Sequence, residues 1–88
     1  MSFIPDLLRG KTTLVTGGTQ GIGAAVARQI AALGAHVIAA GLPPFAHEPF
    51  EGSGITLAEM NVASEDSVRA VLSGLTQLDI VVNCAGII

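Results

Sequence analysis

The stretch Thr16-Gly17-Gly18-Thr19-Gln20-Gly21-Ile22-Gly23 stands between a short β-branched run and a helical pattern, and its reading decides the fold. Upstream, Thr12-Thr13-Leu14-Val15-Thr16 has the β-branched content of a buried strand. Downstream, Ile22, Val26, Ile30 and Leu33 recur at helical spacing, with alanines filling the same face. That pattern predicts an amphipathic helix from Gly21, with Gly34 at its left-handed C-terminal cap. Within the stretch each glycine has its own task. Gly17 takes the sharp turn out of the strand, Gly21 leaves its backbone open to a ligand, and Gly23 lets the helix pack closely. Free N–H groups at a helix start, reinforced by the helix dipole, suit an anion such as a pyrophosphate. A tight turn that binds nothing would account for one glycine and leave three at this spacing unexplained.

Working outward, His36 to Ala40 reads as a second buried strand, closed by Gly41. Leu42 to Gly54 holds Pro43, Pro44 and Pro49 and is expected to be an irregular connection with at most one short turn. Ile55 to Met60 is a third strand. Ser64 then caps a helix with Glu65 and Asp66 in its first turn and an apolar stripe of Val68, Val71, Leu72 and Leu75. Leu78 to Val82 is a fourth strand. Helices alternating with buried strands imply an α/β fold with a parallel sheet and right-handed crossovers. If the sheet is doubly wound, its spatial order is 3-2-1-4.

Composition narrows the possibilities. Half of the 88 residues are hydrophobic and 12% are charged, which excludes a disordered chain. The net charge of −3, with only four cations, cannot build the basic face that nucleic acid requires. The apolar segment Ile22 to Leu42 is broken by Arg28, Gln29 and His36, so no membrane span is expected, and Pro5 and Asp6 argue against a signal peptide. One cysteine allows no internal disulfide, and the expected setting is cytoplasmic. A chain this small buries only about 60–65% of its unfolded surface. Its apolar excess, together with the uncapped end at Ile87-Ile88, leads us to expect the front part of a larger fold.

The glycine spacing G-x-x-x-G-x-G, carried by Thr16, Gly17, Gly21 and Gly23, resembles the short-chain dehydrogenase/reductase family. So does Asn83-Cys84-Ala85-Gly86 after the fourth strand, where the family has Asn-Asn-Ala-Gly, and the likeness runs from about Lys11 to Ile88. The resemblance implies a Rossmann-type doubly wound parallel sheet, of which residues 1–88 form the N-terminal, four-strand, NAD(P)-binding portion. It implies cofactor contacts at Gly17, Thr19, Gln20, Gly21, Ile22, Gly23, Gly41, Leu42, Asn61, Val62, Asn83, Ala85 and Gly86. Asn61-Val62 takes the place of the acidic–aliphatic pair that lines the family's adenine pocket, and the Asn61 amide oxygen can still accept from an adenine amino group. Cys84 reads as a small packing residue rather than a nucleophile.

Cofactor choice turns on the end of the second strand, where an acid binds the ribose 2′-OH of NAD and a nearby arginine the 2′-phosphate of NADP. Here Gly41-Leu42 is neither. No Lys or Arg lies between Arg28 and Arg69, while Glu48 and Glu51 adjoin, so NAD is favoured over NADP. The resemblance further implies reversible hydride transfer between the nicotinamide and a small alcohol or carbonyl substrate, in dimers or tetramers. It also implies a Tyr-x-x-x-Lys pair with a Ser. This chain has no Tyr, and its one Lys is Lys11, so no residue here is a candidate catalyst. His36 and His47 read as surface residues, and no cluster has metal-ligand spacing. The alternative is a non-catalytic module that binds a dinucleotide or a partner chain.

Overall fold

Four parallel strands in the order β3-β2-β1-β4 form the sheet, with a helix on each face. The computed structural model describes residues 7–45, 50 and 52–84. The elements are β1 (Thr12–Thr16), α1 (Gly21–Ala32), β2 (His36–Gly41), β3 (Thr56–Glu59), α2 (Glu65–Ser73) and β4 (Ile80–Asn83). β1 is central, pairing Thr16 with Ala40 of β2 on one side and with Asn83 of β4 on the other. The expected order 3-2-1-4 is the observed one.

Strand alternation divides the core between the two faces. Val15, Val37 and Ala39 meet Ala24 and Ala27 of α1, while Leu14, Ile38, Ala40 and Met60 meet Val68, Val71 and Leu75 on the α2 side. Thr13 shares the α1 face with Val15 and is completely buried. α1 ends as expected, with Gly34 at φ +97° just beyond its last turn. α2 begins as expected, with Ser64 Oγ accepting from the Ser67 N–H at 3.2 Å.

Three expectations are corrected. The helical spacing puts Ile22 on the buried stripe of α1, yet it is 66% exposed, and the buried residues of the helix are Gly23, Ala24 and Ala27. The small side chains at the first turns make the closest approach to the sheet, while Ile30 packs further along the same face. Leu72 of α2 is likewise 39% exposed, at the rim of its stripe. β4 starts at Ile80 rather than Leu78, because Asp79 turns its carboxylate onto the start of β1.

No α-helix stands among the described residues of the β2–β3 crossover, in keeping with its prolines. Phe50 from this crossover is buried against Val15, Ala24, Ala27, Val37 and Ala39. Burying one phenylalanine contributes about 1.5–3 kcal/mol, and here it covers apolar sheet on the α1 side.

Candidate functional site

Because all four strands run the same way, their C-terminal ends share one edge of the sheet, and the glycine-rich turn leaves β1 at that edge. Gly17 has φ +67° and Gly21 has φ +59°, conformations that favour glycine. A Cβ on Gly23 would collide with the carbonyl oxygen of Gly17 and lie 2.7 Å from its carbon. Gly23 therefore packs against the turn itself, a closer contact than the helix–sheet approach read from the sequence. Among the described residues, no atom beyond its chain neighbours and the backbone of its own helix lies within 4 Å of where a Gly21 Cβ would stand. The Gly18 N–H donates to the Ala40 carbonyl at 3.1 Å and pins the turn to β2.

The two helix starts differ in kind. α2 has its serine cap and two carboxylates, Glu65 and Asp66, in the first turn. α1 starts after Gln20 in an extended conformation, with no side-chain cap bond and no acid in its first turn. Its first intrahelical bond at this end runs from the Ala24 N–H to the Gln20 carbonyl at 3.2 Å. The amides of Gly21, Ile22 and Gly23 thus precede the helix ladder at its positive end, an arrangement that suits an anion.

Around this turn stand the other residues singled out from the sequence. Leu42 follows β2 and Val62 follows β3, 61% and 51% exposed, so that with Ile22 they give the edge three accessible apolar side chains. Thr19 is buried against Gly41. Asn61 uses its Oδ1 to accept from the Ala63 N–H at 3.0 Å, while its own N–H donates to Ser67 Oγ at 2.9 Å. The amide oxygen expected to face a base thus already holds a turn onto α2. Asn83 Oδ1 accepts from Thr16 Oγ1 at 2.7 Å, tying the ends of β1 and β4 together. The Cys84 N–H donates to the Thr16 carbonyl at 2.9 Å, and the half-buried thiol packs on the α1-side core. Ala85, Gly86, His47, Glu48 and Glu51 lie outside the described residues.

Thr16, which ties β1 to Asn83 at this edge, is not among the cofactor contacts expected from the sequence. Its signal was available in a hydroxyl at the last position of a central strand, next to the turn. His36 lies at the opposite end of the sheet, where its N–H donates to the Lys11 carbonyl at 2.9 Å. Among the described residues no group of three or more His, Cys, Asp or Glu could hold a metal ion, and no helix is long and apolar enough to cross a membrane.

The strand order and the glycine turn at the C-terminal edge define a doubly wound, Rossmann-type α/β protein. Comparison with known proteins is more specific. The family model described as short chain dehydrogenase matches residues 11–88. The chain is 38% identical over 86 residues to 3-oxoacyl-acyl-carrier-protein reductase FabG of Rickettsia conorii, covering 91% of this chain and 34% of that protein. It is 41% identical over 91 residues to D-beta-hydroxybutyrate dehydrogenase of Cupriavidus necator, covering 92% and 35%. A solved short chain dehydrogenase/reductase family protein superposes with a TM-score of 0.79 at 38% identity, over 92% of this chain and 36% of that one. The chain belongs to the short-chain dehydrogenase/reductase family, and it spans about a third of the length of these relatives.

Proposed function

We propose that residues 1–88 are the dinucleotide-binding portion of an NAD(P)-dependent oxidoreductase that interconverts an alcohol and a carbonyl compound. The observation that carries this reading is the uncapped, acid-free start of α1 facing the open space at Gly21. The pyrophosphate would sit on the amides of Gly21, Ile22 and Gly23, with Gly17 shaping the turn and Gln20 beside it. Leu42, Asn61 and Val62 would flank the adenosine, and Asn83, Ala85 and Gly86 the far side of the crevice, with Thr19 and Gly41 between. When bound, the nicotinamide supplies the hydride-accepting and hydride-donating carbon. This chain's residues bind and orient, and none is assigned a proton-transfer role.

The same reading favours NAD over NADP, because a 2′-phosphate beyond β2 would find no Lys or Arg between Arg28 and Arg69. The relatives named above carry names for 3-oxoacyl-acyl-carrier-protein and hydroxybutyrate compounds, which supports an alcohol or carbonyl substrate. A dimer or tetramer and a cytoplasmic setting belong to the same proposal, on family grounds.

The test is fluorescence titration with NADH of the wild-type chain and of Ile22→Asp. Ile22 is exposed at the second position of α1, where a carboxylate favours the helix by about 0.3–1 kcal/mol. We expect an unchanged or higher melting temperature together with at least tenfold weaker NADH binding, since the carboxylate takes the anion's place. Undiminished binding would remove the pyrophosphate from this helix.

A further inference from the structure

We propose that Thr19 decides how the adenosine ribose is read, by keeping the end of β2 free of any side chain. The inference rests on the dinucleotide reading above. In sites of this type a carboxylate at the end of the second strand binds the ribose 2′-hydroxyl. Here that position is Gly41, the last residue of β2, whose carbonyl accepts from the Met60 N–H at 2.8 Å. Thr19, only 7% exposed, stands directly against it. A Cβ on Gly41 would lie 3.1 Å from Thr19 Cγ2 and 3.3 Å from Thr19 Cβ, and it would collide with Thr19 Oγ1.

Neither partner yields readily. Gly41 is fixed in the sheet. Thr19 is β-branched, stiff about its first side-chain torsion, and follows Gly18, which is bonded to the Ala40 carbonyl. The glycine at 41 is therefore a consequence of the threonine at 19, and the pair acts as one unit that denies the ribose a carboxylate. Preference for NAD then rests on the lack of a cation for the 2′-phosphate, not on an acid for the 2′-hydroxyl. Thr19→Ala removes the two nearest obstructions, Oγ1 and Cγ2, and keeps the 3.3 Å approach of its Cβ.

Two measurements test the unit. In thermal melts, Gly41→Ala lowers Tm by about 4 °C or more with Thr19 in place. Beside Thr19→Ala the same change leaves Tm level or raises it, because the loss of unfolded-chain freedom then dominates. In NADH and NADPH titrations, Gly41→Asp alone weakens NADH at least tenfold. Thr19→Ala with Gly41→Asp recovers at least fivefold of that loss and moves the preference towards NADH by at least tenfold. Equal effects of the Gly41 substitutions in both backgrounds overturn the proposal while leaving the dinucleotide reading intact. A wild-type chain that binds neither nucleotide overturns that reading, and this proposal with it.

Discussion

Three threonines of β1 show what a single residue type can do in one strand. Thr12 gives its backbone N–H to Asp79, Thr16 gives its hydroxyl to Asn83, and Thr13 is fully buried with no hydrogen-bond partner for Oγ1 among the described residues. A buried hydroxyl left unpaired costs about 1–3 kcal/mol. Valine has nearly the same shape without that polar atom. We therefore expect Thr13→Val to raise Tm by roughly 4–8 °C in a thermal melt, and a lower Tm would mean that the hydroxyl has a partner. In the sequence the three threonines are equivalent β-branched residues, which suffices to predict the strand. That the Thr16 hydroxyl is satisfied depends on a residue 67 positions away, and local pattern carries no such information.

At the level of elements, the start of β1 is held by the turn before β4. The Asp79 carboxylate accepts from the Thr12 N–H at 2.8 Å and from Gln77 Nε2 at 2.6 Å, and Gln77 also donates to the Gly10 carbonyl at 2.8 Å. The Gln77 bond first, then the Thr12 bond, with the Lys11 charge adding a little, holds the Asp79 carboxyl below its ordinary 3.8 against a small opposing effect of burial. Folding therefore favours the ionised form. This contribution is present above pH 3.8, levels off about a unit higher, and is lost as the pH falls through the lowered native value. Melting wild type and Asp79→Ala across pH 2–7 should show a gap in Tm that is constant above about pH 5 and narrows in acid. A gap independent of pH would show that the charge is irrelevant to the clasp. The same residue explains why β4 begins two residues later than the apolar pattern predicts, since Leu78 lies close to Ile80-Val81-Val82 in sequence while the Asp79 N–H and carboxylate are both spent on Thr12. Ile22 was misread for a related reason. Periodicity locates apolar side chains, whereas the α1 interface is chosen by how little room Gly23, Ala24 and Ala27 require.

On the scale of the whole molecule, most of the design was legible. Strand–helix alternation gave four parallel strands in the right order, and parallel direction alone brings the candidate residues to one edge. The apolar excess in the composition also has a location. Val62, Leu72, Leu78 and Val81, all partly exposed, line a groove of about 450 Å³ beside β4, with Leu14 and Met60 among its walls. Its position could not be read from composition, because it depends on which strand ends the sheet. The bond between Thr16 and Asn83 has a consequence in time as well as in space. β1 meets β2 after a short crossover, whereas its union with β4 closes a span of 67 residues. Closing the longer loop costs more entropy, and contacts distant in sequence form later. The β1–α1–β2 unit should therefore order first and β4 should dock last, so the glycine turn exists before its rim is complete. Pulsed hydrogen exchange during refolding should show the Val15 and Ile38 amides protected before that of Val82, and simultaneous protection would contradict this order. During synthesis the glycine-rich turn would be shaped early, while the edge around it would close only as Asn83 reaches Thr16.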